Sequence, residues 1–268
     1  PTLPTVVNHL IDAVNDPDAS VDGLATLLQS DQMLSVRLLK VANSVFYGLS
    51  GTVSTVRRAV VVLGFKTIRS LALAIWTRSF RDRVRSDWER QAQETMFVHS
   101  LTTAVAASLV APRLGFAASQ EDCFLAGLLH DIGRVALISE TGDWYREAIL
   151  EQAFEQCNPI EVERVALGFD HAALGARLLE SFRLPALQID SAARHHRPVN
   201  NLAAEPVRAC VVLANNLVKG LDLSLYHGPA VPPREHLLDR AGLDAVEDQK
   251  DLAGQCVRGA QQLLAELI

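Results

Sequence analysis

Apolar residues recur every three to four positions along almost the whole chain, and that period fits helices and little else. Val7, Leu10, Ile11 and Val14 form one stripe of a helix that Asp16-Pro17 ends. Ser20 is placed to cap a helix carrying Leu24, Leu27 and Leu28. Leu34, Leu38 and Val41 point inward on a helix from about Met33 to Asn43, which Tyr47-Gly48-Leu49-Ser50-Gly51 breaks. Ser54 is expected to cap a helix from Val56 to Leu63 that Gly64 stops, and residues 67 to 80 form a very apolar helix. The β-branched run Ala59-Val60-Val61-Val62-Leu63 favours a strand locally. No alternating partner lies nearby and helix signals flank it, so it reads as buried helix.

The charged patch Arg81 to Arg90 reads as a hinge, or as the solvated start of a helix running to about Leu114. Helices are then expected near 120 to 139, 143 to 156, 160 to 168, 171 to 182, 185 to 195, 204 to 220, 234 to 240 and 245 to 267. The one Pro-rich loop is Gly228-Pro229-Ala230-Val231-Pro232-Pro233. The expected architecture is all-α, with an N-terminal helical lobe (residues 1–86) packed on a second helical lobe (residues 87–268). A hydrophobic content of 49 % over 268 residues is ample for such cores.

No apolar run reaches the roughly 18 to 20 residues of a membrane span, and no basic-then-apolar signal peptide opens the chain. Cys123, Cys157, Cys210 and Cys256 are scattered without CxxC spacing, as in proteins of a reducing compartment. A cytoplasmic protein is therefore expected. Its net charge of −6 excludes an overall polyanion binder. Nine basic residues (Arg57, Arg58, Lys66, Arg69, Arg78, Arg81, Arg83, Arg85, Arg90) stand against Asp82, Asp87 and Glu89 in one stretch, which reads as a solvated face. Nucleic acid is accordingly the least supported partner. The sequence contains no Gly-rich phosphate loop, GxSxG elbow or Cys-His dyad.

The segment that carries chemistry is Phe124-Leu125-Ala126-Gly127-Leu128-Leu129-His130-Asp131-Ile132-Gly133. A carboxylate beside an apolar helix face is costly to bury unless something neutralises it. A metal ion does so, and imidazole with carboxylate suits iron, manganese or zinc. Neighbours on a regular helix point about 100° apart, so His130 and Asp131 converge most easily where a helix ends, which Gly133 is taken to mark. The alternative is a hydrogen-bonded pair capping a buried helix end. His99 reads alternatively as a core histidine, His171 after Asp170 as a helix start, and His195-His196 as a helix C-terminus that favours cations. His9, His227 and His236 have no partner in any motif.

The string Ala126-Gly127-Leu128-Leu129-His130-Asp131-Ile132-Gly133 resembles the signature of the HD superfamily of metal-dependent phosphohydrolases. His99, His171 and His195-His196 follow the order seen in its HD-GYP branch, the cyclic-di-GMP phosphodiesterases. The N-terminal lobe narrows this further. Leu3-Pro4, Asn15-Asp16-Pro17, the stretch Leu34 to Ser44, Phe46-Tyr47-Gly48 and the stretch Ser54 to Gly64 resemble the HDOD domain. The likeness runs from Leu3 to about Gly220. It implies an HD-type bundle, a metal site drawn from His99, His130, Asp131, His171, His195 and His196, and a regulatory role in bacterial signalling without an established reaction. It also implies a signalling protein as partner and a nucleotide-type ligand, with no membrane.

The sequence departs from the hydrolase pattern twice. The last metal aspartate aligns with Asn215, whose neutral amide is the poorer ligand for a hard cation. Arg197-Pro198-Val199-Asn200-Asn201 replaces the GYP loop after the paired histidines, leaving Asn215 and Arg197 as ligand contacts. Binding is expected over turnover. A surviving phosphohydrolase acting on a nucleotide or cyclic dinucleotide is the alternative.

Overall fold

A computed structural model describes residues 3–49, 52–80, 84–151, 158–221, 223, 225, 235–243 and 245–267. The chain is all-α, with no strand among the described residues. Its contacts group residues 1–79 with 258–268 in one unit and residues 80–257 in another. The sequence reading placed the boundary near residue 86 and kept the C-terminal residues with the second lobe.

The first unit holds α1 (Thr5–Asn15), α2 (Val21–Gln29), α3 (Gln32–Ala42) and α4 (Val56–Arg78). Ser20 caps α2 by accepting the Gly23 N–H at 3.0 Å, and Asp31 caps α3 through the Leu34 N–H. The cap of α4 is Thr55, one residue after the expected Ser54. The valine run is helical. Gly64 interrupts α4 with φ 77° and ψ 164°, a backbone open to glycine and strained for other residues. The inward stripes Val7-Leu10-Ile11, Leu24-Leu28 and Leu34-Leu38-Val41 are buried as their period requires. Asn43 ends α3 and pins the following loop, donating to the Val53 carbonyl and accepting from the Val53 N–H.

The second unit is built around α5 (Asp87–Arg113), which Ser86 caps. Its alanines at 104, 106, 107 and 111 are fully buried and let neighbouring helices approach closely. Against it pack α6 (Gln120–Leu129), α7 (Ile132–Thr141) and α11 (Pro206–Lys219), while α9 (His171–Ser181) packs on α7 and on α10 (Ala186–Arg194), α10 also reaches α6 and α11, and α8 (Pro159–Leu167) lies against residues 146–150. A short α12 (Glu235–Arg240) follows, then α13 (Val246–Leu267), whose residues from 258 on group with the first unit. Cys123, Cys210 and Cys256 are buried free thiols, while Cys157, the Pro-rich loop and the end of the helix expected at 143 to 156 lie outside the described residues.

By length and composition α4 and α5 would pass for membrane spans, although polar side chains interrupt every apolar run. Most of each is buried inside the protein, the situation of a core helix.

Candidate metal centre

Two close helix contacts build the site. The sequence reading runs helix over 120 to 139 but expects an apolar helix to end at His130-Asp131, and the structure breaks there, between α6 and α7. His130 keeps helical angles, whereas Asp131 (φ −104°, ψ 17°) does not. The break brings neighbours that a continuous helix would splay about 100° apart onto a common centre. Gly133 lies in the first turn of α7, just past the break. A Cβ there would stand 2.0 Å from the His171 carbonyl oxygen and 2.6 Å from the Gly175 nitrogen, so only glycine lets α7 touch α9. A Cβ on Gly127 would meet the Ala104 Cα and the Thr103 oxygen, each at 2.8 Å, so α6 lies equally close to α5. The first contact carries His171 to Asp131, and the second carries His130 to His99.

Asp131 is the hub. Its Oδ1 lies 3.3 Å from His171 Nε2 and 3.3 Å from His195 Nε2. Its Oδ2 lies 3.4 Å from His130 Nε2 and 3.8 Å from His99 Nε2. His196 Nε2 is 2.8 Å from His171 Nε2, and the Nε2 atoms of His99 and His130 are 3.3 Å apart. The donors thus fall into two groups sharing Asp131: Asp131, His171, His195 and His196, and His99, His130 and Asp131. All are buried except half-buried His196. Asp131 occupies the cap position of α7 but makes no cap hydrogen bond, so the simple capping reading does not describe it.

Three rings are fixed from behind in the same way. Nδ1 donates to the Gly127 carbonyl in His130 (2.7 Å), to the Ala192 carbonyl in His195 (2.8 Å) and to the Leu223 carbonyl in His99 (3.0 Å). A carbonyl only accepts, so Nδ1 carries the proton and the Nε2 lone pair faces inward. Burial lowers the His195 pKa to about 4 and, with His130 and Lys219 adding to it, that of His99 to about 3. Burial and the neighbouring His195 and His171 push His196 well down too.

Glu163, Arg134 and Tyr145 form a supporting layer that sequence reasoning missed. Glu163 accepts the His171 N–H at 2.8 Å, His171 Nδ1 at 2.6 Å and the Tyr145 hydroxyl at 2.5 Å. Arg134 places NH1 3.5 Å from Asp131 Oδ2 and NH2 3.1 Å from His171 Nε2. Burial alone would raise both carboxyls. Arg134 and His130 instead hold Asp131 well below the carboxylate range, and His171 leads in lowering Glu163 to about 2. Burial and Arg134 work against a charged His171, yet Glu163 and Asp131 outweigh them and raise its pKa. Glu163 and Asp131 thus favour the charged form of His171, whose Nδ1 lies 2.6 Å from Glu163. The signal for Arg134 was its spacing, three residues after Asp131 on one helix face. Glu163, between Val162 and Arg164, carried none.

Asn215 is buried on α11, and its Oδ1 has no hydrogen-bond partner among the described residues. Arg197 is exposed and lines a cavity of about 920 Å³ with Arg164, Arg194, Phe169, Asp170 and His196. The cavity thus adjoins the donor set at His196. Arg164 is paired with Asp170 at 2.6 Å, and Arg194 with Glu205 at 3.0 Å. The basic stretch does not form one solvated face. Arg69 and Arg78 are buried, Arg57 pairs with Asp22, and Arg85 donates to the Ser139 carbonyl. Arg81 and Arg83, like His227, lie outside the described residues.

A family model of the HDOD domain matches residues 1–198, well over half of the chain. The chain belongs to the HDOD domain family. An uncharacterised protein of Treponema pallidum is 24 % identical over 227 residues, 83 % of this chain and 42 % of that one. The chain therefore spans less than half the length of that relative. Among solved structures, an HDOD domain protein of unknown function from Geobacter sulfurreducens aligns with TM-score 0.76 and 24 % identity over all of this chain and 92 % of its own. A provisionally named phosphohydrolase from Shewanella amazonensis aligns with TM-score 0.71 and 24 % identity, over all of this chain and 95 % of its own. A provisionally named signal transduction protein from Marinobacter aquaeolei aligns with TM-score 0.73 and 22 % identity, over all of this chain and 59 % of its own. At such identity these likenesses speak for the fold.

Proposed function

We propose that this HDOD protein is a regulatory module of bacterial signalling that holds a divalent iron, manganese or zinc ion and binds a ligand or partner rather than turning over a substrate. One observation carries the metal. Asp131 Oδ1 and His195 Nε2 are buried 3.3 Å apart, and neither has a hydrogen-bond partner among the described residues. The His195 proton sits on Nδ1, bonded to Ala192, so two lone pairs face each other in a desolvated site. A cation between such donors satisfies both. Asp131, His171, His195 and His196 would hold the ion, with His99 and His130 beside them. When bound, it supplies a positive charge and acidifies coordinated water.

The chain's own residues speak for binding. Arg134 engages Asp131, Asn215 offers no carboxylate, and the residues after His196 lack the GYP loop. The cavity beside His196, with Arg197 on its rim, suits a nucleotide-type ligand. Membership of the HDOD family supports the signalling role and a signalling protein as partner. The phosphohydrolase reading has its own support, because Asp131 belongs to both donor groups, whose residues together would hold two ions.

Elemental analysis of protein purified without chelator tests the metal. A stoichiometric ion, lost in Asp131→Ala, is expected, and its absence from the native protein would overturn the reading. Incubation with nucleotides and cyclic dinucleotides should give no turnover. Metal-dependent hydrolysis that disappears in His130→Ala and Asp131→Ala would establish the enzyme instead.

A further inference from the structure

A second polar cluster lies behind the paired histidines, and none of its side chains belongs to the donor groups. It consists of Asp190 and Arg194 on α10 and of Glu205 and Arg208 at the start of α11. Arg208 is 4 % exposed. Its NH1 donates to the Arg197 carbonyl at 2.8 Å and to the Arg194 carbonyl at 3.4 Å. NH1 and NH2 each donate to the Pro198 carbonyl at 3.4 Å. NH2 also donates to Glu205 Oε2 at 2.5 Å. Glu205 Oε1 in turn holds Arg194 NH1 at 3.0 Å, and Arg194 Nε donates to Asp190 Oδ1 at 2.5 Å.

These contacts bracket two of the donors. His195 and His196 follow α10 directly, and Arg208 grips the carbonyl before them and the two after them. The Ala192 carbonyl fixes the rotation of the His195 ring, but not the path of the backbone that carries it. That path leaves a helix end, where carbonyls have lost their intrahelical partners. Arg208 supplies the missing N–H groups and a positive charge at the negative end of α10. Burying a guanidinium is costly, and an apolar side chain would fill the space between α10 and α11 without that cost. Such a side chain could not hold three carbonyls in fixed directions. A planar fork of five N–H groups does so, whereas an ammonium offers its donors from a single point. The distances that depend on the held segment are those from His195 Nε2 to Asp131 Oδ1, 3.3 Å, and from His196 Nε2 to His171 Nε2, 2.8 Å.

We infer that Arg208 is a positioning residue of the metal centre: by holding the carbonyls on either side of His195 and His196, it sets where those two donors stand relative to Asp131 and His171. The inference rests on the metal reading above and deepens it, giving the four-donor group a support on α11 that touches none of the donor atoms.

The test measures the Mn²⁺ affinity of the full chain by equilibrium dialysis, and its visible spectrum with Co²⁺, which reports the geometry of the donors. Arg208→Lys keeps the charge and loses the fork. It should bind Mn²⁺ about 10–100-fold more weakly than the wild type and give an altered Co²⁺ spectrum, while circular dichroism shows it folded. Leu252→Ala, in the apolar core on α13, lowers stability by another route and should keep the wild-type affinity and spectrum. Wild-type values in Arg208→Lys, or equal losses in Arg208→Lys and Leu252→Ala, would overturn the inference while leaving the metal reading intact. Should Arg208→Lys fail to fold, Glu205→Gln decides, because it loosens the hold on both arginines. It should weaken Mn²⁺ binding by about threefold or more, and an unchanged affinity overturns the inference. A wild type that binds no ion overturns the metal reading itself, and the inference with it.

Discussion

Glu163 is fully buried and accepts three hydrogen bonds, from the His171 N–H, the His171 ring and the Tyr145 hydroxyl. It orients the His171 ring and raises its pKa. Removing one partner of a buried ion pair leaves the other uncompensated. Glu163→Gln should therefore lower stability by roughly 2–4 kcal/mol, read by urea unfolding. It should also weaken metal binding by about 10–100-fold, as loss of a group that orients a ligand does. Wild-type stability and affinity in this variant would show that Glu163 is a bystander. Arg134, in the same layer, counters the Asp131 charge through a contact that does not depend on a metal.

The crossing of α7 and α9 is an element-scale device. Alanine is the better helix former by about 1 kcal/mol, yet at Gly133 its methyl would meet backbone on α9 at 2.0 Å. Rigid backbone cannot yield as a side chain does, so Gly133→Ala must push the helices apart and carry His171 away from Asp131. A loss of roughly 3 kcal/mol in thermal or urea unfolding is expected, together with loss of metal. Gly175 faces the same crossing, but its added methyl would find the Gly133 nitrogen at 3.3 Å and the Ile132 Cγ2 at 3.5 Å. Gly175→Ala should cost less than about 1 kcal/mol. Equal effects at the two glycines would show that the crossing does not set the site.

At the scale of the whole molecule, the buried histidines couple folding to pH. His195 and His99 have folded pKa values near 4 and 3, below their ordinary 6.5. In the unfolded chain they bind protons at higher pH, so the stability they contribute is full above 6.5 and is lost as pH falls from 6.5 towards 3. Glu163 adds a loss between about 4.5 and 2. His171, raised above 6.5, has the opposite sign, its contribution being lost as pH rises through its folded value. Thermal stability should thus peak near neutrality and fall steeply between pH 6.5 and 4. A bound metal should steepen the acid limb, because it requires neutral rings and displaces the His171 proton. Melting curves from pH 4 to 8, with and without chelator, check this, and a flat profile from pH 4 to 7 would refute it. The sequence alone determined the helices, because period and caps are local: the stripes, the Ser20 cap and the interruption at Gly64 were all legible. It also displayed the candidate donors in order, from His99 to His196. Tertiary structure decided what no local pattern records. It made Gly133 a contact with α9, divided the donors about Asp131, and brought in Glu163 and Arg134. Helical period says which side chains share a face, whereas which faces meet depends on backbone approaches between segments far apart in the chain.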